Sequence, residues 1–187
     1  MYFFIFNSYR EVDSNFLREK IIKHALKNYF GIDCEFSIIK SLYGQPRILL
    51  SNNKTIYLSI SHSENHTAYA IAKKPIGIDI QRLKKLEFKS IEKLFCFTEL
   101  SIWKKMEQEF EINKKYFYSV LSIKEAILKG EGFGFIGDPK KINTSECINF
   151  NKKGISKING NIIIFNKSWK IYQNINDDVV YTVAIQI

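Results

Sequence analysis

Between Asn113 and Gly130, Tyr116, Phe117, Val120, Leu121, Ile123, Ala126, Ile127 and Leu128 recur at helical spacing and build an apolar face too broad to leave in water. Such a helix must lie against another layer, and the surrounding sequence offers sheet. A strand is expected from Met1 to Asn7. A helix follows, capped by Asp13 or Ser14, carrying Phe16, Leu17, Ile21, Ile22, Ala25 and Leu26 on one side and stopping at Gly31. β-like runs come next at Cys34 to Leu42, Thr55 to Ser61, Thr67 to Lys73 and Ile76 to Gln81, with Tyr43, Gly44, Gln45 and Pro46 punctuating the first gap. A second helix is expected from Thr98, as N-cap, through Phe110. The tail returns to strands, with turn signals at Asn151 to Gly154 and Asn159 to Gly160, and ends in the β-rich run Val179 to Ile187. This order predicts an α+β fold of two similar halves packed side by side, residues 1–82 and 83–187, with no Pro- or Gly-rich linker between them.

A chain of 187 residues that is 45% hydrophobic and 14% aromatic can bury a sizeable core. No run approaches the roughly 20 apolar residues of a membrane span, and the start from Met1 to Phe6 lacks a charged leader or a small-residue cleavage site. The protein is therefore expected in the cytoplasm. Cys34, Cys96 and Cys147 are odd in number and far apart, which fits free thiols better than disulfides or zinc. The formal charge of +9 favours an anionic partner, whether nucleic acid, phosphorylated cofactor or acidic protein. Scattered lysines, and Tyr and Phe that mostly follow core periodicity, count against a nucleic-acid module.

Three segments carry candidate chemistry. Ser61, His62 and Ser63 end a strand, where hydroxyls and an imidazole can meet phosphate; the plain alternative is a polar turn. In Ile76 to Gln81, alternation sets Ile78 and Ile80 on one face and Asp79 and Gln81 on the other. Asp79 is there either a solvated carboxylate or a metal ligand, with Gln81 beside it as a neutral oxygen donor. On the long helix, Ser122, Glu125 and Lys129 share a face at spacings of three and four, with Lys124 adjacent. Glu125 and Lys129 could be a surface ion pair and no more. The glycine-rich stretch Gly130 to Gly134 follows a helix and does not open one after a strand, so it is no nucleotide loop.

Taken in order, YGQP at Tyr43 to Pro46, SISHS at Ser59 to Ser63, PIGIDIQ at Pro75 to Gln81 and LSIKEAILK at Leu121 to Lys129 resemble the phosphopantetheinyl transferase superfamily. The likeness is greatest to its longer monomeric members, which activate peptide synthetases such as surfactin synthetase. Leu121 stands where that family often has tryptophan, Gln45 where it has lysine, and Gln81 where it has a second acidic residue. The resemblance implies a pseudo-dimer of the two halves with the active site at their interface, acting on coenzyme A and an acidic acyl or peptidyl carrier protein. It implies Mg²⁺ held by Asp79, Gln81 and Glu125. Gln45, Pro46, Ser61, His62 and Lys129 would hold coenzyme A, and Glu125 and Lys129 would be catalytic. Glu99 is a second candidate base. A family member that binds coenzyme A without transferring anything is the alternative that Gln81 raises.

Overall fold

Alternating apolar residues in the first half must find a cover, and a single amphipathic helix supplies it. The computed structural model describes residues 2–7, 15–85, 91, 93–105, 110–133, 137–148, 157–176 and 178–187. Strands β1 (Tyr2–Asn7), β2 (Phe36–Lys40), β3 (Pro46–Leu50), β4 (Thr55–Ser63) and β5 (His66–Ala72) form an antiparallel sheet in the order β1-β5-β4-β3-β2. Helix α1 (Asn15–Phe30) lays Ile22, Ala25, Leu26 and Phe30 on Ile48, Leu50, Ile56, Leu58 and Ile71 of that sheet.

Strand β6 (Ile76–Arg82) follows β5 after three residues but pairs elsewhere. It edges a second antiparallel sheet, β6-β9-β8-β7, with β7 (Lys157–Ile164), β8 (Lys167–Ile175) and β9 (Val179–Gln186). Helices α2 (Phe97–Lys105) and α3 (Phe110–Glu131) belong to this half. The apolar face of α3 is buried as its breadth requires, Val120, Ile123 and Ile127 sharing a core with Trp169, Ile171, Val180 and Ala184. A third core joins the sheets, with Ala68, Ala70 and Ala72 of β5 beside Ile76, Ile78 and Ile80 of β6 and Val183 and Ile185 of β9. The alanines leave room for the isoleucines, so β6 comes close to the first sheet without joining its backbone ladder.

Several expectations need correction. The first β-like run ends at Lys40, because Ser41 to Gln45 closes a turn in which Ser41 N–H donates to the Gln45 carbonyl at 2.8 Å. Pro46 then opens β3, which the sequence reading missed; proline is tolerated as a strand's first residue. Asn159 and Gly160 lie inside β7. The turn is at Phe165 and Asn166, both with positive φ (53° and 59°), joining Ile164 to its partner Lys167. Phenylalanine is a poor advertisement for such a two-residue turn, so composition pointed to the wrong place. The N-cap of α2 is Cys96, not Thr98: its carbonyl accepts from Leu100 N–H at 3.0 Å and its N–H donates to Glu99 Oε2 at 2.9 Å. The expected caps Asp13 and Ser14 and the turn Asn151 to Gly154 lie outside the described residues. Cys34, Cys96 and Cys147 are free thiols, as expected. Among the described residues no helix is long and apolar enough to cross a membrane.

Candidate active site

An edge strand leaves alternate backbone N–H groups unpaired, and β6 is such an edge. Here the serines of SISHS satisfy them. Ser59 Oγ accepts from Ile78 N–H at 3.0 Å, Ser61 Oγ from Ile80 N–H at 3.2 Å and Ser63 Oγ from Arg82 N–H at 3.0 Å. The period of two on β4 matches the period of two on β6, so the side chains stitch the sheets together where backbone pairing does not.

This stitching delivers Asp79 into the seam at 1% exposure. Its Oδ1 accepts from Ser61 Oγ at 3.0 Å and from Lys129 Nζ at 2.7 Å, and its Oδ2 accepts from Gln81 Nε2 at 3.0 Å. Lys129 also donates to Ser61 Oγ at 2.8 Å. The Ser61 hydroxyl is thereby fully used, its hydrogen on Asp79 and its lone pairs on Ile80 and Lys129. Sequence reasoning considered Lys129 as a partner of Glu125 on its own helix face. Its ion pair is with Asp79, across the seam.

Two glycines let α3 come close enough for that contact. A Cβ on Gly77 would lie 1.7 Å from the Ala126 carbonyl oxygen, and one on Gly130 would lie 2.7 Å from the Trp169 ring. The helix ends at once beyond Gly130 in a Schellman motif: Phe133 N–H donates to Leu128 O at 3.2 Å, Gly132 N–H to Lys129 O at 3.1 Å, and Gly132 has φ +81°. Gln45 completes this end, its Nε2 donating to Lys129 O at 2.7 Å. The YGQP loop is thus pinned to the helix that carries Lys129 and Glu125.

Glu125 stands one turn before Lys129 and is half-buried. Burial, and next the negative charge of Asp79, push its carboxyl above the usual range, while Lys129 works against both. A raised folded-state value means that ionised Glu125 costs stability: the protonated form is preferred, and that contribution is lost as pH rises from the ordinary 4.5 through the folded value. Glu125→Gln should therefore raise the cation-free Tm at neutral pH, with the advantage shrinking as pH falls through the folded value and gone once pH is below the ordinary 4.5. Thermal unfolding of both proteins across pH 4 to 8, a range spanning about the unfolded carboxylate pKa, checks the sign.

The other expected site residues are placed differently. His62 points away from Ser61, onto the α1 face of β4, and its Nδ1 is 3.2 Å from Thr67 Oγ1. Pro46 begins β3 beside Gln45. Glu99 is fully buried and its four acceptor positions are filled, by Cys96 N–H, Lys124 Nζ, Thr144 N–H and Thr144 Oγ1 at 2.6 to 2.9 Å. It braces α2 against α3 and has no acceptor position left for a substrate proton. Lys124, also fully buried, donates to Glu99 and to the Leu94 carbonyl at 2.8 Å. Burial pulls its ammonium below the ordinary lysine range, and Glu99 opposes that. Sequence reasoning missed two contributors, the serine ladder and a buried network in which Ser122 Oγ donates to Thr182 Oγ1 at 2.7 Å and Gln173 Nε2 to the same oxygen at 2.7 Å. The period-two serines facing an edge strand were the available signal for the first.

The strand and helix that carry Asp79, Gln81, Glu125 and Lys129 lie in a region that a protein family shares. The family model described as the 4'-phosphopantetheinyl transferase superfamily matches residues 75–184, from just before β6 almost to the end of β9. A Bacillus pumilus protein, 4'-phosphopantetheinyl transferase psf-1, is 27% identical over 118 residues, which are 63% of this chain and 49% of that protein. The Aneurinibacillus migulanus protein 4'-phosphopantetheinyl transferase gsp is 29% identical over 119 residues, 63% of this chain and 48% of its own. A Bacillus subtilis 4'-phosphopantetheinyl transferase is 30% identical over 117 residues, 62% of this chain and 50% of its own. The alignments span about half the length of these curated relatives.

Proposed function

Because the chain belongs to the 4'-phosphopantetheinyl transferase superfamily, we propose that it moves the phosphopantetheine arm of coenzyme A onto a serine of an apo acyl or peptidyl carrier protein. The observation that carries this reading is the convergence of Asp79, Gln81, Glu125 and Lys129 at one seam within the matched region. The proposed enzyme is a cytoplasmic monomer, a pseudo-dimer of two halves, 1–82 and 83–187. On this reading β6 is contributed by the first half to the sheet of the second, and the active site lies where they meet.

The residues suit Mg²⁺. Among the described residues no three His, Cys, Asp or Glu side chains gather into a metal set, so the seam offers two carboxylates and an amide. Mg²⁺ commonly takes one or two carboxylates and completes its octahedron with phosphate oxygens and water, whereas a structural zinc site would need more protein donors. Asp79 and Glu125 would hold it, with Gln81 turning Asp79 or lending its carbonyl oxygen. Bound there, the cation neutralises charge that gathers on the pyrophosphate as it breaks.

The protein groups do the rest. Lys129 meets the pyrophosphate, the Gln45 and Pro46 loop packs near the adenine, and at the end of β4 His62 is offered to a nucleotide phosphate from one face while Ser61 on the other holds Lys129 in place. The carrier serine forms a bond to the β-phosphorus as the bond to the adenosine 3',5'-bisphosphate leaving group breaks. Glu125 takes the serine proton, directly or through a water that it orients. A basic surface, +9 overall, speeds the approach of an acidic carrier.

The test is incubation with coenzyme A, Mg²⁺ and a panel of apo carrier proteins, read by mass spectrometry. At least one carrier should gain the mass of the arm, chelator should abolish the gain, and Glu125→Gln should slow it by about 100-fold or more. Coenzyme A binding without transfer to any carrier would mean a binding protein only. Transfer that persists in excess chelator would remove the metal from the reading.

A further inference from the structure

The strongest unexplained feature of the seam is how heavily Asp79 is already engaged. Its Oδ1 holds two donors, Lys129 Nζ and Ser61 Oγ, and two donors fill the acceptor positions of one carboxylate oxygen. Lys129 is gripped from two sides, at 2.7 Å by Asp79 and at 2.8 Å by Ser61, and only 25% of its side chain meets solvent. Gln81 donates to the other carboxylate oxygen and leaves one acceptor position on that Oδ2. A divalent cation that takes Asp79 still lands on a carboxylate that the Lys129 ammonium already holds, and two positive centres on one carboxylate repel strongly in a half-buried site.

We propose that Lys129 is a built-in competitor for the divalent cation, bound to Asp79 until the cation displaces it. The inference rests on the cation reading above and adds an order to it. Displacement frees an ammonium one helical turn from Glu125, and a coenzyme A pyrophosphate gives that ammonium a new anionic partner. Cation and coenzyme A then favour each other's binding, although Lys129 opposes the cation when it comes alone. Only the fraction of molecules with Lys129 released is competent for the cation, so the apparent affinity is lowered by that fraction. By thermodynamic reciprocity the cation must raise coenzyme A affinity by the same factor that coenzyme A raises cation affinity.

The experiment titrates the full chain with Mn²⁺ alone, followed by the paramagnetic resonance of free Mn²⁺, for the natural protein, Lys129→Met and Asp79→Asn. Lys129→Met should bind Mn²⁺ about tenfold more tightly than the natural protein, the scale of losing one partly buried charge-assisted competitor. Asp79→Asn should bind little. Adding coenzyme A should tighten Mn²⁺ binding to the natural protein and do so much less for Lys129→Met. Should Lys129→Met fold poorly, amine labelling of the natural protein replaces it: Mn²⁺ should speed modification of Lys129 relative to the surface lysines. Equal or weaker Mn²⁺ binding by Lys129→Met, with Asp79→Asn abolishing it, would overturn the competitor role and leave the metal site standing. So would labelling of Lys129 that Mn²⁺ slows or leaves unchanged. Mn²⁺ binding that ignores Asp79 altogether would remove both.

Discussion

Gly77→Ala is expected to be the most damaging single methyl in the protein. The added carbon would sit 1.7 Å from the Ala126 carbonyl oxygen and 2.7 Å from the Gly130 nitrogen, both backbone atoms with no rotamer to escape through. Helix α3 must then move off β6. Overpacking of a well-filled core commonly costs about 1 to 3 kcal/mol, and a clash with rigid backbone belongs at or above the top of that range, about 3 kcal/mol. The displacement also separates Asp79 from Lys129 and Glu125, so any transfer activity should fall further than the loss of folded protein explains. Gly160→Ala is the internal control: an added Cβ there meets nothing within 4 Å, and its Tm should stay within a degree or two of the natural protein's, about the shift from a few tenths of a kcal/mol. Denaturant unfolding of both variants measures the difference, and a Gly77→Ala protein as stable as the Gly160→Ala one would refute the close-approach account.

The second large effect is at the ion pair of Glu99 and Lys124, both fully buried and 2.6 Å apart. Removing one partner leaves an uncompensated charge, or a set of stranded donors, in a dry interior. Lys124→Met and Glu99→Gln should each cost about 3 to 5 kcal/mol. Glu99→Gln also turns one of the two accepting oxygens into an NH2, so that either the Thr144 N–H or the Cys96 N–H faces a donor, and it should be the worse of the two. The double variant Glu99→Leu, Lys124→Met should recover much of the loss from Lys124→Met, because neither charge is then buried, although the Thr144 and Cys96 donors remain unpaired. Urea midpoints for the natural protein, Lys124→Met, Glu99→Leu and the double variant form the cycle that isolates the coupling. Losses of a few tenths of a kcal/mol in both single variants would show that water reaches the pair.

The alternation of apolar residues and the breadth of one helical face already determined most elements, because both are local consequences of what water excludes. The strands at Thr55, Thr67 and Ile76, the helix from Asn15 and the long helix ending near Gly130 were all legible that way. Legibility failed where the local signal was absent or misleading. Strand β3 begins with a proline, and the β7 to β8 turn is made by Phe165 and Asn166 while the turn-like Asn159 and Gly160 sit inside a strand. Asp79, Glu125 and Lys129 could be picked from the sequence by type, spacing and family likeness, yet their partners could not. A period of two says which face Ser61 shares with Ser59 and Ser63, but not that an edge strand from the other sheet will lie against that face. Helical spacing places Lys129 beside Glu125 and is silent about Asp79, fifty residues away and 2.7 Å distant. Only the tertiary structure decided that Glu99 is a buried brace and that His62 turns from Ser61. The same holds for Gly77 and Gly130, which together let a lysine reach a carboxylate across the seam. Contacts between distant segments depend on how layers stack, and stacking is set by the summed shapes of whole faces, which no short window of sequence contains.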